Sequence, residues 1–237
     1  MKKKIKVLQV IPTLGYGGAE TGCYDLGHFL SEKDCDSYIA TSGGELLKFV
    51  KKEKVKVFKL PVHSKNPILI LFNAIMISLI ILFYNINIVH ARSRAPAWSC
   101  LIATKLTARK FVTTFHGTYN FNNKFKKFYN SVMIRSHLII AGSNFIFSHI
   151  NENYRNFFLE KKRKLLVIFR GINTNYFNPH KILPIKLDKF AKQHNIDRNK
   201  FIILLPGRLT YWKGQKIFIE AIKLISEKND IPPFEAI

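Results

Sequence analysis

The chain has 237 residues, 47% of them apolar, with 38 Lys plus Arg against 15 Asp plus Glu and a formal net charge of +23. That apolar fraction excludes wholesale disorder, and the length suits one large domain or two modest ones. The charge favours phosphate-rich partners such as nucleotides, lipid-linked glycans or an anionic membrane, although it pervades the chain and marks no single patch.

The first residues, Lys2-Lys3-Lys4-Ile5-Lys6, have the charge of a signal-peptide start, but Gln9 and Pro12 break the apolar run that follows. A first β-strand over residues 7–11 is the expectation. Cys23, Cys35 and Cys100 are odd in number and widely spaced, so neither a disulfide framework nor a zinc site is indicated, and a reducing, cytoplasmic setting fits.

Further short apolar runs at residues 37–40, 55–60, 86–91, 111–115, 138–141, 165–169 and 201–205 read as buried parallel strands. Segments of helical spacing alternate with them, as at residues 19–30 and 123–135. The pattern predicts an α/β chain with a mostly parallel, doubly wound sheet in residues 1–180. Residues 181–200 read as a linker with a short helix near 187–194, and 201–237 as the opening of a second domain.

Residues 68–84 are almost continuously apolar and approach the length of a membrane span, about 17 residues at least. They stand between two expected parallel strands, where a crossover helix is required. A helix lying on the sheet with an apolar outer face, available to a membrane surface, is therefore predicted.

The chemistry concentrates where strands end. After the first strand comes Pro12-Thr13-Leu14-Gly15-Tyr16-Gly17-Gly18-Ala19-Glu20, a glycine turn feeding a helix whose free N–H groups favour an anion. Glu20 stands where a dinucleotide fingerprint has its third glycine, so that fingerprint is not met. Arg92 and Arg94 follow the fourth strand and form a candidate fork for a carboxylate or phosphate. His116-Gly117 follows the fifth, where the imidazole suits a sugar hydroxyl or phosphate and the glycine frees the backbone to turn. Arg208 and Lys213 bracket the turn after the eighth strand, together with Gly207, Gly214 and a helix start over 216–228. Two cations and a helix N-terminus suit a diphosphate without any metal.

Taken in order, Gly17-Gly18-Ala19-Glu20, His90-Ala91-Arg92-Ser93-Arg94, Thr114-Phe115-His116-Gly117, Ala141-Gly142-Ser143, Arg170-Gly171-Ile172-Asn173 with Phe177, and Gly207-Arg208 with Lys213-Gly214 resemble the retaining GT-B glycosyltransferases of family 4. The resemblance implies two Rossmann-like domains, the first mainly for the acceptor and the second for a nucleotide-sugar donor. It implies that Gly17 and Gly18 lie near donor phosphates and acceptor, that His116 contacts the reacting sugar, and that Arg208 and Lys213 neutralise the departing diphosphate. No cofactor or metal is implied, and the acceptor class is an envelope glycan such as lipopolysaccharide, or a lipid-linked sugar. The chain departs from the family at Arg170 and Asn173, where Asn and Asp are common. The family's paired acidic motif is not found at its usual place; Glu227 and Glu235 share its spacing but precede any third strand of the second domain.

The second domain is thus expected to be incomplete, with the tail beyond Phe201 fraying, docking improperly on the first domain or pairing with a separately encoded remainder. An inactive remnant or acceptor-binding module is the alternative to an enzyme. Nucleic-acid binding rests on charge alone and lacks a recognisable module.

Overall fold

The computed structural model describes residues 4–119, 123–159, 163–228 and 230–237; Lys2 and Lys3 of the basic N-terminus lie outside them. The chain divides into two compact units, residues 1–171 and 172–237.

The first unit is built on seven strands: β1 (Ile5–Val10), β2 (Cys35–Thr41), β3 (Val55–Lys59), β4 (Ile88–Ala91), β5 (Lys110–Phe115), β6 (Leu138–Ala141) and β7 (Lys164–Val167). All pair in parallel, in the order β3-β2-β1-β4-β5-β6-β7. Parallel neighbours need crossovers, supplied by α1 (Gly18–Glu32), α2 (Pro67–Tyr84), α3 (Arg94–Leu106), α4 (Lys124–Asn130) and α5 (Asn144–Leu159). The chain winds outward from β1 to β3, then returns to continue on the far side of β1 with β4. That reversal beside β1 is the topological switch point, the place where open α/β sheets bind ligands outside the C-terminal ends of their strands.

Two apolar clusters cover the two faces. Leu8, Val10, Ile77, Ile81, Phe111, Phe115 and Met133 belong to the larger one, and Ile11, Leu14, Cys23, Ile39 and Val55 to the smaller. Burying each large side chain contributes about 1.5–3 kcal/mol, which is what fixes the register.

Residues 67–84 form the expected crossover helix. Asn66 caps it by accepting from the Ile68 N–H at 2.9 Å, Pro67 occupies the first turn, and Asn85 ends it in the left-handed region. Asn73, Ala74, Ile77, Ile80 and Ile81 face the core, and Asn73 donates to the Pro61 carbonyl at 3.0 Å. Ile68, Leu71, Phe72, Ile75, Leu79, Leu82 and Phe83 are exposed on the outer side.

The single helix expected over 123–135 divides into α4 and a 3-10 turn, Ser131–Ile134. Val132, Met133 and Ile134 are all fully buried because this turn packs against α3, β5 and α5. The Ser131 hydroxyl donates to the Phe128 carbonyl at 2.6 Å, closing the α-helical ladder just before it tightens.

In the second unit, where a linker with a helix over 187–194 is expected, α6 runs Pro184–Gln193. Pro184 starts this helix: at the first turn its missing N–H costs nothing. Strand β8 (Phe201–Ile203), helix α7 (Gln215–Ser226) and strand β9 (Phe234–Ala236) follow, with β8 and β9 parallel and Phe201 opposite Phe234. Instead of fraying, the tail beyond Phe201 forms a βαβ unit. It is thinly packed, since α7 buries none of its residues.

Candidate active site

The loop after β1 is pinned from beneath. Leu14 N–H donates to the Gly43 carbonyl at 2.7 Å and the Leu46 N–H donates to the Leu14 carbonyl at 2.9 Å. Gly44 has φ of 129°, and a Cβ there would lie 2.4–2.6 Å from the Leu14 backbone, so this position admits only glycine. Gly17 and Gly18 open the helix α1. Gly17 caps α1 with an ordinary φ of −70°, and neither residue has positive φ. Their value is close approach: a Cβ on Gly17 would meet Glu20 Oε2 at 2.3 Å, and one on Gly18 would meet Arg170 Nη1 at 2.8 Å. Glu20 thus lies back over the N-terminus of its own helix, complementing the helix dipole.

His116 follows β5, and its Nδ1 lies 2.9 Å from Arg170 Nη2. A guanidinium only donates, so Nδ1 accepts and the neutral ring carries its proton on Nε2. That Nε2 is shielded from solvent and has no acceptor among the described residues. Burial, followed by the charges of Arg92 and Arg170, pushes the His116 pKa down to about 3. Beside it, a Cβ on Gly117 would meet nothing within 4 Å.

Arg92, directly after β4, is only 8% exposed. Its Nη1 donates to Gln9 Oε1 at 3.1 Å, and Gln9 in turn donates to the Cys23 carbonyl at 3.0 Å. Its Nη2 lies against α1, where a Cβ on Gly22 would come within 3.1 Å. Its Nε has no partner among the described residues. His90, two residues earlier on β4, holds Thr114 at 2.7 Å; burial, then the Arg92 and His116 charges, keep its pKa well below the usual histidine value.

The fork of Arg92 and Arg94 is not formed. Arg94 is the first residue of α3 and turns to the other side, donating to Asn130 Oδ1 at 2.9 Å and stacking 4.3 Å above the Tyr119 ring. Arg170, whose position the sequence marked only as a departure, is the residue that joins Arg92 near His116. It extends from beyond β7, past Gly142, to Gly18. Gln9 and Gly22 are the other contributors that sequence reasoning missed. A polar residue in the middle of an otherwise apolar strand was the one available signal for Gln9.

In the second unit Arg208 and Lys213 are both exposed on the turn between β8 and α7. The Arg208 carbonyl accepts from Gln215 Nε2 at 2.9 Å, and Gly214, at φ 80°, makes the left-handed step into α7. Asn173 has a local role: its Oδ1 accepts from the N–H groups of Asn175 and Tyr176 at 3.0 and 3.1 Å, closing a turn.

A parallel sheet of this order, with a glycine loop after its first strand and cationic and imidazole groups at its C-terminal edge, defines a Rossmann-like unit of the GT-B glycosyltransferase type. The family model described as Glycosyltransferase Family 4 matches residues 16–176, more than half of the chain, and the chain belongs to that family. A glycosyltransferase structure from Rickettsia africae ESF-5 is 42% identical with a TM-score of 0.80, over 95% of this chain and 59% of that one. Anabaena Alr3699/HepE, solved in complex with UDP-glucose, has a TM-score of 0.72 at 18% identity, over 98% of this chain and 59% of that one, and shows likeness of fold. The putative glycosyltransferase EpsD of Bacillus subtilis (strain 168) is 36% identical over 58 residues, 24% of this chain and 15% of that protein. The chain therefore spans about three fifths of the length of the solved structures it matches.

Proposed function

We propose that this chain contributes the acceptor-side unit, and the first part of the donor-side unit, of an enzyme that transfers a sugar from a nucleotide-sugar donor with retained anomeric configuration and without a metal. The carrying observation is the neutral His116, its proton fixed on Nε2 by Arg170, at the sheet edge beside the bare glycines of the α1 loop. A neutral imidazole donor suits a sugar hydroxyl, and glycines without side chains at a helix start suit close approach of a substrate. Arg208 and Lys213 supply the charge that stabilises a departing diphosphate. UDP-glucose in the HepE structure supports a nucleotide sugar as donor. The test is transfer or hydrolysis of nucleotide sugars by residues 1–237, with His116→Ala as control. Turnover that needs His116 supports the reading, and binding without any turnover would favour an acceptor-binding module.

The acceptor in this reading is an envelope glycan, as in lipopolysaccharide assembly, or a lipid-linked sugar, met in the cytoplasm at the inner face of the membrane. The support is α2, whose exposed stripe from Ile68 to Phe83 carries no charge, on a chain of net charge +23. An apolar face on a cationic body suits an anionic bilayer surface, whereas two such copies repel each other. Flotation with anionic vesicles, abolished by Leu71→Glu/Leu79→Glu, is the expected result; flotation unaffected by those changes would exclude this face.

A further inference from the structure

We propose that the cavity at the N-terminal edge of the first unit's sheet, lined by Lys105, Arg109, Lys110, Arg135, His137 and Arg163 among others, binds a small molecule through its phosphate group. It lies at the opposite end of the strands from His116: β5 runs from Lys110 to Phe115, roughly 17 Å at about 3.3 Å per residue. It belongs to the first unit alone and does not depend on the glycosyltransferase reading.

Topology is the first argument. α3 ends at Leu106, and β5, β6 and β7 begin at Lys110, Leu138 and Lys164. Parallel pairing sets those starts side by side: the His137 N–H donates to the Phe111 carbonyl at 2.9 Å, and the Lys164 N–H donates to the His137 carbonyl at 3.4 Å. Residues far apart in sequence thus meet around a cavity of about 390 Å³, within the range of roughly 300–1,000 Å³ usual for small-molecule sites. Five of its ten lining residues are Lys or Arg, against 38 of 237 in the whole chain, so the concentration exceeds the general basic bias.

Charge is the second. No lining residue is acidic, and among the described residues the ion pairs involve Lys6, Lys54, Arg198, Lys200 and Lys223, none of them at this cavity. Neutral groups hold the three guanidinia instead. Arg109 Nη2 donates to Asn85 Oδ1 at 2.8 Å, Arg135 Nε to Ser131 Oγ at 3.2 Å, and Arg163 Nη1 to the Ile134 carbonyl. Arg135 and Arg163 both lie over the Phe157 ring, at 5.6 and 4.8 Å. An aromatic face offsets part of one cation's charge, and here two share it. Burial, then the Arg135 charge, disfavours the charged form of Arg163. The end of α3 does not use these cations either, since its Ala103 and Thr104 carbonyls accept from the Thr107 and Arg109 N–H groups, each at 3.0 Å. The guanidinia are therefore fixed in orientation while their charge has no counterpart, and a bound anion relieves their repulsion.

Hydrogen bonding sets the ligand class. His137 Nδ1 accepts from the Phe111 N–H at 3.1 Å, so the neutral ring carries its proton on Nε2 and donates there. Ammonium, guanidinium and imidazole N–H groups are all donors, which matches an acceptor-only ligand. Several cations suit the double charge of a phosphate better than a single carboxylate. Leu101 and Phe111, both buried, supply an apolar wall for the rest of the molecule.

The test is titration of residues 1–237 with inorganic pyrophosphate, followed by calorimetry and by the His137 ring nitrogen signals. Saturable binding that moves those signals is expected. The His137 pKa, held below the usual histidine value by burial and then by the Lys110 charge, should rise as the anion binds. Lys105→Gln/Lys110→Gln, at two exposed positions, should weaken the His137 response at least tenfold. Lys48→Gln/Lys52→Gln, which removes the same charge from exposed positions elsewhere on the first unit, should leave it unchanged. Displacement by glycerol phosphate in solution would assign the site to a soluble phosphorylated molecule, and displacement by phosphatidylglycerol vesicles alone would assign it to a lipid headgroup. A His137 response that is absent, or equal in Lys105→Gln/Lys110→Gln and the parent, overturns the site. Pyrophosphate binding that persists by calorimetry in that case lies elsewhere on the chain and leaves the glycosyltransferase reading intact.

Discussion

Strands β1 and β8 have the same local design: a short apolar run, a glycine-bearing turn, then a helix. In β1, Leu8 and Val10 are fully buried, whereas in β8 Phe201 is 66% exposed. The difference lies in what surrounds them. β1 pairs with β2 and β4 and is covered on both faces, while β8 pairs with β9 and carries α7, whose Ile217, Ile219 and Leu224 remain exposed. A βαβ motif is thus specified by neighbouring residues in sequence, but its stability comes from the layers around it.

That contrast can be broken by substitution. Phe111→Ala should cost about 3–5 kcal/mol of first-unit stability in denaturant unfolding, since the ring is almost wholly enclosed. A loss under about 1 kcal/mol would mean that this core is looser than its burial implies. Acid should come next. His116 titrates normally near 6.5 when unfolded and at about 3 when folded, so below 6.5 the unfolded chain binds the extra proton. Its contribution is therefore complete above about 6.5 and is lost as pH falls toward 3, and His90 acts in the same direction. A melting temperature that is flat across this range, or one unaltered in slope by His116→Gln, would contradict it. Asn66→Ala should cost about 1 kcal/mol through loss of the α2 cap, read as a lower midpoint in urea. Ile219→Ala, on exposed α7, should stay within about 0.5 kcal/mol by the same measurement.

Much of the first unit was legible from the sequence. Apolar runs separated by helical spacing give the strand count and parallel sense, and the crossover demand identified α2 correctly against its membrane-like composition. The division at Ser131 was not legible, because burial on every side is a tertiary condition that no local period records. Pro184 misled in the other direction, since the same residue breaks a helix within and starts one at its first turn. At the site, His116 and the glycine loop were readable from their position after strands. The partnership of Arg92 with Arg170, in place of Arg94, was not, because it depends on where a side chain 78 positions further along the chain returns to the sheet edge.

The most direct measurement is a nucleoside diphosphate titration of residues 1–237 beside Arg208→Ala and Lys213→Ala. Saturable binding, weakened at least tenfold in each variant, is the expected result for a turn that holds the donor's diphosphate. Undiminished binding in both variants, or none in the parent chain, would contradict a donor-binding role for the turn between β8 and α7.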